Sequence, residues 1–146
     1  MTGSVFADAN ILIAAAGSPQ GASRAILNLA EMGLIQLVVS RQVLLETERN
    51  LRRKLPDGLP LVAEWLSYLS LKIVDDPLPE RYQRWVSIIE EKDAPILAAA
   101  VDAEVDYFVT LNTRDFTPEV MNAAGLTILT PSQFIERVRD ILQRNL

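Results

Sequence analysis

Five short apolar runs separated by stretches of helical periodicity constrain this chain more than anything else in it. The runs span residues 4–7, 36–39, 71–74, 107–111 and 126–129, and between them apolar residues recur at helical spacing. Strands that alternate with helices predict right-handed crossovers and a parallel sheet, hence an α/β fold. The first run, Val5-Phe6-Ala7, ends on a carboxylate, Asp8, at the carboxyl edge of the predicted sheet. Ligands bind at that edge in open α/β sheets. Asp also commonly caps the helix that follows it, and Asp8 alone does not decide between the two.

The helices between the runs are readable from their ends. A short helical turn over 10–16 is stopped by Gly17-Ser18-Pro19. Ser18 with Pro19 behind it reads as the start of a second helix through Met32, and Gly33 as its end. Ser40 caps a helix over 41–54, with Val43, Leu44, Leu51 and Leu55 on one stripe. Gln42, Glu46, Arg49, Asn50 and Arg53 form its polar stripe. Residues 59–69 form a further helix with Trp65 packed inward, and 80–91 another. Pro95 is tolerated only in a first helical turn, so a new helix starts near Asp93. Its Ile96–Val101 run is apolar almost all round, which predicts burial. Residues 112–116 read as a polar loop, and Thr130-Pro131-Ser132 opens a final amphipathic helix.

This topology brings carboxylates together. Glu46 lies in the second turn of the helix leaving strand two. Asp93 starts the helix leading to strand four, and Asn112 and Asp115 follow that strand directly. All fall on the edge where Asp8 lies. Taken singly, each has a plain reading: Glu46 as a solvated helix residue, Asp93 as an N-cap and Asp115 as a turn residue. Clustered, they would repel one another and shift their pKa values unless cations neutralised them.

Composition narrows the chemistry. The 146 residues contain no Cys and no His, which excludes disulfides, thiol nucleophiles, zinc sites built on Cys or His and a Ser-His-Asp triad. Acid–base or metal chemistry must then use carboxylates, and oxygen-rich sites suit magnesium or manganese. The net charge of −5 argues against a broad electrostatic grip on nucleic acid, though not against a local basic patch. The length suits one domain over residues 1–146. No signal-peptide pattern or membrane-length apolar run stands out, so a cytoplasmic protein is expected, with no membrane partner.

At this point the motifs carry a resemblance. Asp8-Ala9-Asn10-Ile11-Leu12, a Glu on the helix after strand two, Asp93-Ala94-Pro95-Ile96-Leu97-Ala98-Ala99-Ala100 and Val109-Thr110-Leu111-Asn112-Thr113-Arg114-Asp115-Phe116 occur in order over essentially the whole length. In this the chain resembles PIN domains, close to the VapC-type toxin ribonucleases. The resemblance implies a three-layer α/β/α sandwich with strand order 3-2-1-4-5. It also implies divalent metal, RNA phosphodiester cleavage, a homodimer and, for a toxin, an antitoxin partner. The family's acids map to Asp8, Glu46 and Asp93. A fourth often stands where this chain has Asn112, and many toxin-like members carry Asn there with an acid three residues on, here Asp115. That departure leaves the number of metal ions open. Asn10 and Thr110 would orient the carboxylates by hydrogen bonds. Arg49, Arg53 and Arg114 are candidates for phosphate contact, or else ordinary surface charges. For the dimer, Trp65, Tyr68 and Leu69 offer an apolar surface, or else they are core.

Rival readings fit less well. A phosphoacceptor receiver domain wants paired acids after strand one and a Lys after strand five, where this chain has Asp8 and Thr130-Pro131. A haloacid-dehalogenase-like phosphatase wants a second Asp at position 10, occupied here by Asn10. The remaining alternative is a PIN-like module that binds RNA or protein with weak cutting or none, which the Asn112 departure keeps open.

Overall fold

A computed structural model of the chain describes residues 3–145. Its strands are β1 (Ser4–Ala7), β2 (Gln36–Ser40), β3 (Lys72–Val74), β4 (Tyr107–Val109) and β5 (Ile128–Leu129). They form one five-stranded sheet in the order β3-β2-β1-β4-β5, parallel throughout. This is the expected fold class and order. The helices are α1 (Ala9–Gly17), α2 (Ala22–Glu31), α3 (Arg41–Lys54), α4 (Leu59–Tyr68), α5 (Pro79–Tyr82), α6 (Ala94–Asp102), α7 (Pro118–Ala124) and α8 (Pro131–Arg144). α1 packs against α2, α3 and α4, α5 against α6, and α8 against α2, which fits the right-handed crossovers that the strand order calls for, with α1–α4 on one face and α5–α7 on the other.

The register decides what meets at the carboxyl edge. Ala7 pairs with Val109, so Asp8 and Thr110 leave the sheet side by side. The Asp8 amide still donates to the Val109 carbonyl at 3.1 Å. Beneath this edge Phe6 and Phe108 stack at 5.3 Å, and Phe108 meets Phe116 at 4.7 Å. α6 buries Ala94 and Ile96 through Ala100, as its apolar run predicts, and the small alanines allow close approach to the sheet.

Four local expectations are corrected. Ser18 does not start a helix. Its amide closes α1 on the Ala14 carbonyl at 2.9 Å, Pro19 sits in the following turn, and α2 begins at Ala22 with Gly21 as N-cap. The helix expected over 80–91 is one turn of α5 followed by a 3-10 turn at Gln83–Trp85. The helical period there is the spacing of Trp85 and Ile89, and both are buried. Tighter turns achieve that burial while bringing the chain round to α6. β4 stops at Val109 rather than 111, because the Leu111 amide is taken by Asn10 Oδ1 at 3.0 Å. β5 is confined to Ile128–Leu129.

α7 was not anticipated at all. Its signal was present: Thr117 accepts from the Val120 amide at 3.3 Å, Pro118 holds the first position, and Gly125 closes the helix at φ 68°. The same Thr-Pro start announces α8, where Thr130 and Gln133 form a capping box. Gly33 ends α2 as expected. At φ 76° it donates to Ala30, and Leu34 donates to Leu29, both at 3.0 Å, the paired bonds of a Schellman motif. Trp65 packs inward on α4, so of the three residues considered for a surface only Tyr68 is largely exposed. Among the described residues no helix is long and apolar enough to cross a membrane.

Candidate functional site

Asp8 does more than cap a helix, because its two oxygens have different partners. Oδ1 accepts from the Ala9 amide at 2.8 Å and caps α1. Oδ2 accepts from Thr110 Oγ1 at 2.8 Å and Asn10 Nδ2 at 3.2 Å. A cap needs only the first. Asn10 Nδ2 also donates to Thr110 Oγ1 at 3.2 Å, and Thr110 Oγ1 accepts from the Asn112 amide at 3.0 Å. The result is a closed network that fixes the carboxylate. Asp8 is buried, and burial pushes its carboxyl up. The bonds from Thr110 and Ala9 oppose that, while the charge of Glu46 adds to it.

Glu46 stands in the second turn of α3, which Ser40 caps by accepting from the Val43 amide. Glu46 Oε1 accepts from Gln42 Nε2 at 3.1 Å. The same Nε2 donates to the Lys92 carbonyl at 3.1 Å. Gln42 therefore ties Glu46 to the turn that carries Asp93, a role its place on the polar stripe did not reveal.

Asp93 occupies the N-cap position of α6 but makes no side-chain cap bond. Capping is therefore not its role. The Glu90 carbonyl serves the Asp93 and Ala94 amides instead, at 2.9 and 3.1 Å. Asp93 is 8% exposed, and its Oδ2 is buried without a hydrogen-bond partner. Burial, then contact with the Asp115 carboxyl and the charge of Asp8, pushes the Asp93 carboxyl up to about 7. Asp115 goes the other way. Asn112 Nδ2 donates to its Oδ2 at 3.0 Å and holds its carboxyl below the usual range. The Asp115 amide returns a bond to Asn112 Oδ1 at 3.2 Å, so Asn112 acts as a brace for Asp115.

One oxygen each of Glu90, Asp93 and Asp115 lie within 4.8 Å of one another. Among the described residues no other group of three or more acids is drawn this close, so Asp8 and Glu46 stand beside the trio rather than in it. Charge couples Asp8 to both Glu46 and Asp93. Glu90 was not among the residues singled out from sequence. The one available signal was its place three residues before Asp93, within reach of a turn. An all-oxygen donor set with an orphaned buried carboxylate oxygen fits a hard divalent cation.

Arg49 and Arg53 follow Glu46 on α3 at spacings that keep them on its side of the helix. Both are exposed, and with Leu45, Glu48 and Arg52 they line a shallow groove of about 280 Å³. Arg53 donates to Asn50 Oδ1 at 3.2 Å. Arg114 is exposed beside Asp115. A larger apolar groove of about 540 Å³ lies between α3 and α4, and no candidate residue lines it. Its charged lining residues are Arg41, Glu48 and Arg52, already engaged in ion pairs, and the rest of its wall is apolar.

A family model described as PIN domain matches residues 4–114. The structure is similar to a chain in the crystal structure of VapBC2 from Rickettsia felis bound to a DNA fragment from their promoter. That match has a TM-score of 0.63 and 18% identity, and covers 87% of this chain and 98% of that one. It is also similar to the crystal structure of PAE2754 from Pyrobaculum aerophilum, with a TM-score of 0.62, 17% identity, and coverage of 96% of this chain and 99% of that one. A sequence search of curated proteins gave no match. At such identities the two structures speak for the fold. The family match itself runs from β1 past β4 and takes in Asp8, Glu46, Asp93 and Asn112, and on that ground the chain belongs to the PIN domain family.

Proposed function

We propose that residues 1–146 act as one nuclease domain that hydrolyses RNA phosphodiester bonds with magnesium or manganese, as the toxin of a toxin–antitoxin pair. The observation that carries this reading is the orphaned, buried Oδ2 of Asp93 within a carboxylate cluster at the sheet edge. Such an atom is stable only if a proton or a cation meets it. When bound, a divalent cation supplies an activated water and neutralises phosphate charge.

The chain's residues do the rest. Asp8, Glu46, Asp93 and Asp115 hold the ion. Thr110 and Asn10 keep Asp8 Oδ2 oriented, and Asn112 braces Asp115. Asp93 releases its proton as the ion arrives, so binding tightens as pH rises towards and past neutrality. Arg49, Arg53 and Arg114 are assigned to the phosphates on either side of the scissile bond. The test is cleavage of a mixed RNA pool with magnesium, manganese or EDTA. Cutting with metal and none with EDTA is expected; EDTA-resistant cutting by the pure protein overturns the metal mechanism.

The arginines make a separate prediction. Arg49→Ala with Arg53→Ala should weaken RNA binding without regard to sequence. It should also lower the salt slope by about 1.4, at about 0.7 for each single-strand phosphate contact. An unchanged slope in a filter-binding titration from roughly 50 to 200 mM salt removes both residues from the RNA path.

The likeness in fold to a VapBC2 chain supports an antitoxin partner, and the resemblance supports a homodimer in the cytoplasm. Leu66 and Tyr68 on α4 are 42% and 48% exposed and offer apolar surface for it. Light scattering at micromolar concentration should give twice the monomer mass; a monomer there counts against the dimer.

A further inference from the structure

We propose that Glu90 is a metal ligand, and that with Asp93 and Asp115 it forms a cation position distinct from the Asp8–Glu46 side of the site. The inference rests on the metal-dependent reading above and extends it to a residue which that reading does not use. Geometry supplies the first argument. Glu90, Asp93 and Asp115 bring one oxygen each within 4.8 Å, a spacing that Asp8 and Glu46 do not share with them. Three anionic oxygens at that separation can point at one hard cation, whose oxygen contacts are of about 2–2.6 Å.

The second argument is independent of proximity. Asp93 is nine-tenths buried, yet its Oδ2 has no donor. Protein folding does not ordinarily leave a carboxylate oxygen in that condition. The third is how the trio is held. The Glu90 carbonyl accepts from the Asp93 and Ala94 amides, which fixes Glu90 alongside Asp93 whatever its side chain does. Gln42 pins the turn to α3 through the Lys92 carbonyl. Asn112 bonds Asp115 from both ends of its amide and turns its carboxylate to face Asp93. Asn112 thus gives up the role of an acid and becomes the brace of one, and Glu90 restores the missing negative charge. The Glu90 side chain is exposed and its ion pair with Lys92 Nζ is long at 3.7 Å, so it is not drawn away from Asp93 and Asp115.

Manganese binding to the full chain, followed by calorimetry and by the loss of free-manganese EPR signal, tests this without any activity assay. Glu90→Gln should weaken one class of binding by at least about tenfold, the lower end of what loss of even an outer-shell partner does. Glu91→Gln, the same charge change one residue on, should leave binding unchanged. In an Asp8→Asn background the Glu90→Gln effect should persist. Three results overturn the proposal: wild-type affinity in Glu90→Gln, equal weakening by Glu91→Gln, or disappearance of the Glu90 effect when Asp8 is replaced. If the wild-type chain binds no manganese, the metal-dependent reading falls with it, which separates the two failures. Glu90→Gln at an exposed position leaves the fold intact, checked by an unchanged melting temperature without metal.

Discussion

Asp8→Asn is expected to lower RNA cleavage by about a thousandfold, equivalent to ~4 kcal/mol of the several that a bound cation supplies. The fold should survive. Asn is as good an N-cap as Asp, so the bond from the Ala9 amide is kept. What changes is Oδ2. There an Nδ2 would face two donors, Thr110 Oγ1 and Asn10 Nδ2. Thr110 can rotate its proton away, but its oxygen already accepts from Asn10 and from the Asn112 amide. Against that loss stands the removal of a buried charge next to Glu46 and Asp93. The two effects are of similar size, so stability should change by no more than about 1–2 kcal/mol in either direction. Sequence alone suggests a neutral or stabilised variant, since it reveals the repulsion but not the donors aimed at Oδ2. Unfolding of Asp8→Asn would make Asp8 structural, and wild-type cleavage by a folded variant would remove the hydrolytic mechanism.

Asp93→Asn is expected to stabilise the metal-free protein at pH 8 by on the order of 2 kcal/mol, roughly 5–10 °C in melting temperature. Asp93 titrates near 7 in the folded chain, chiefly because it is buried, and in the ordinary carboxylate range when unfolded. Between those values the folded state binds more protons than the unfolded one, so stability falls as pH rises from about 4 to about 7. The penalty is absent below that window and complete above it. Asp115, whose carboxyl is held down by Asn112 and by contact with Asp93, returns part of it. Hence the expectation is about half of what the Asp93 shift alone would imply. An Asn amide at 93 can donate to Asp115 as a protonated carboxyl does, at every pH. With excess manganese the order should reverse, because the wild type gains ~2.7 kcal/mol at a hundred times Kd and the variant loses a ligand. Melting curves from pH 4 to 8, with and without manganese, decide the matter. A flat metal-free profile for the wild type, or a less stable variant at pH 8 without metal, would show that Asp93 is satisfied within the protein.

Residues that act through their immediate neighbours were legible in the chain itself. The apolar runs yielded the strands, Gly33 closed α2, Pro95 dated the start of α6, and the Thr-Pro pairs mark two helix starts, one of which went unused. Because a parallel sheet sends each strand's successor off the same edge, strand ends alone grouped Asp8, Glu46, Asp93, Asn112 and Asp115. Strand order, by contrast, came through family resemblance, since apolar runs do not say which strands are neighbours.

Tertiary structure decided the rest, wherever a group's partner is distant in sequence. Register set Asp8 beside Thr110. Packing of Trp85 and Ile89 broke a helix that its periodicity suggested, and the turn that replaced it carried Glu90 to Asp93 and Asp115. One amide nitrogen of Gln42 joined α3 to that turn. Sequence by itself brought Asp8, Glu46, Asp93 and Asp115 to one edge, because strand and helix ends are local and periodic, whereas Glu90 joined them only through a tertiary turn. Which of them touch, and which oxygen is left without a donor, depends on side-chain contacts across elements, and these exist only once the sheet is assembled.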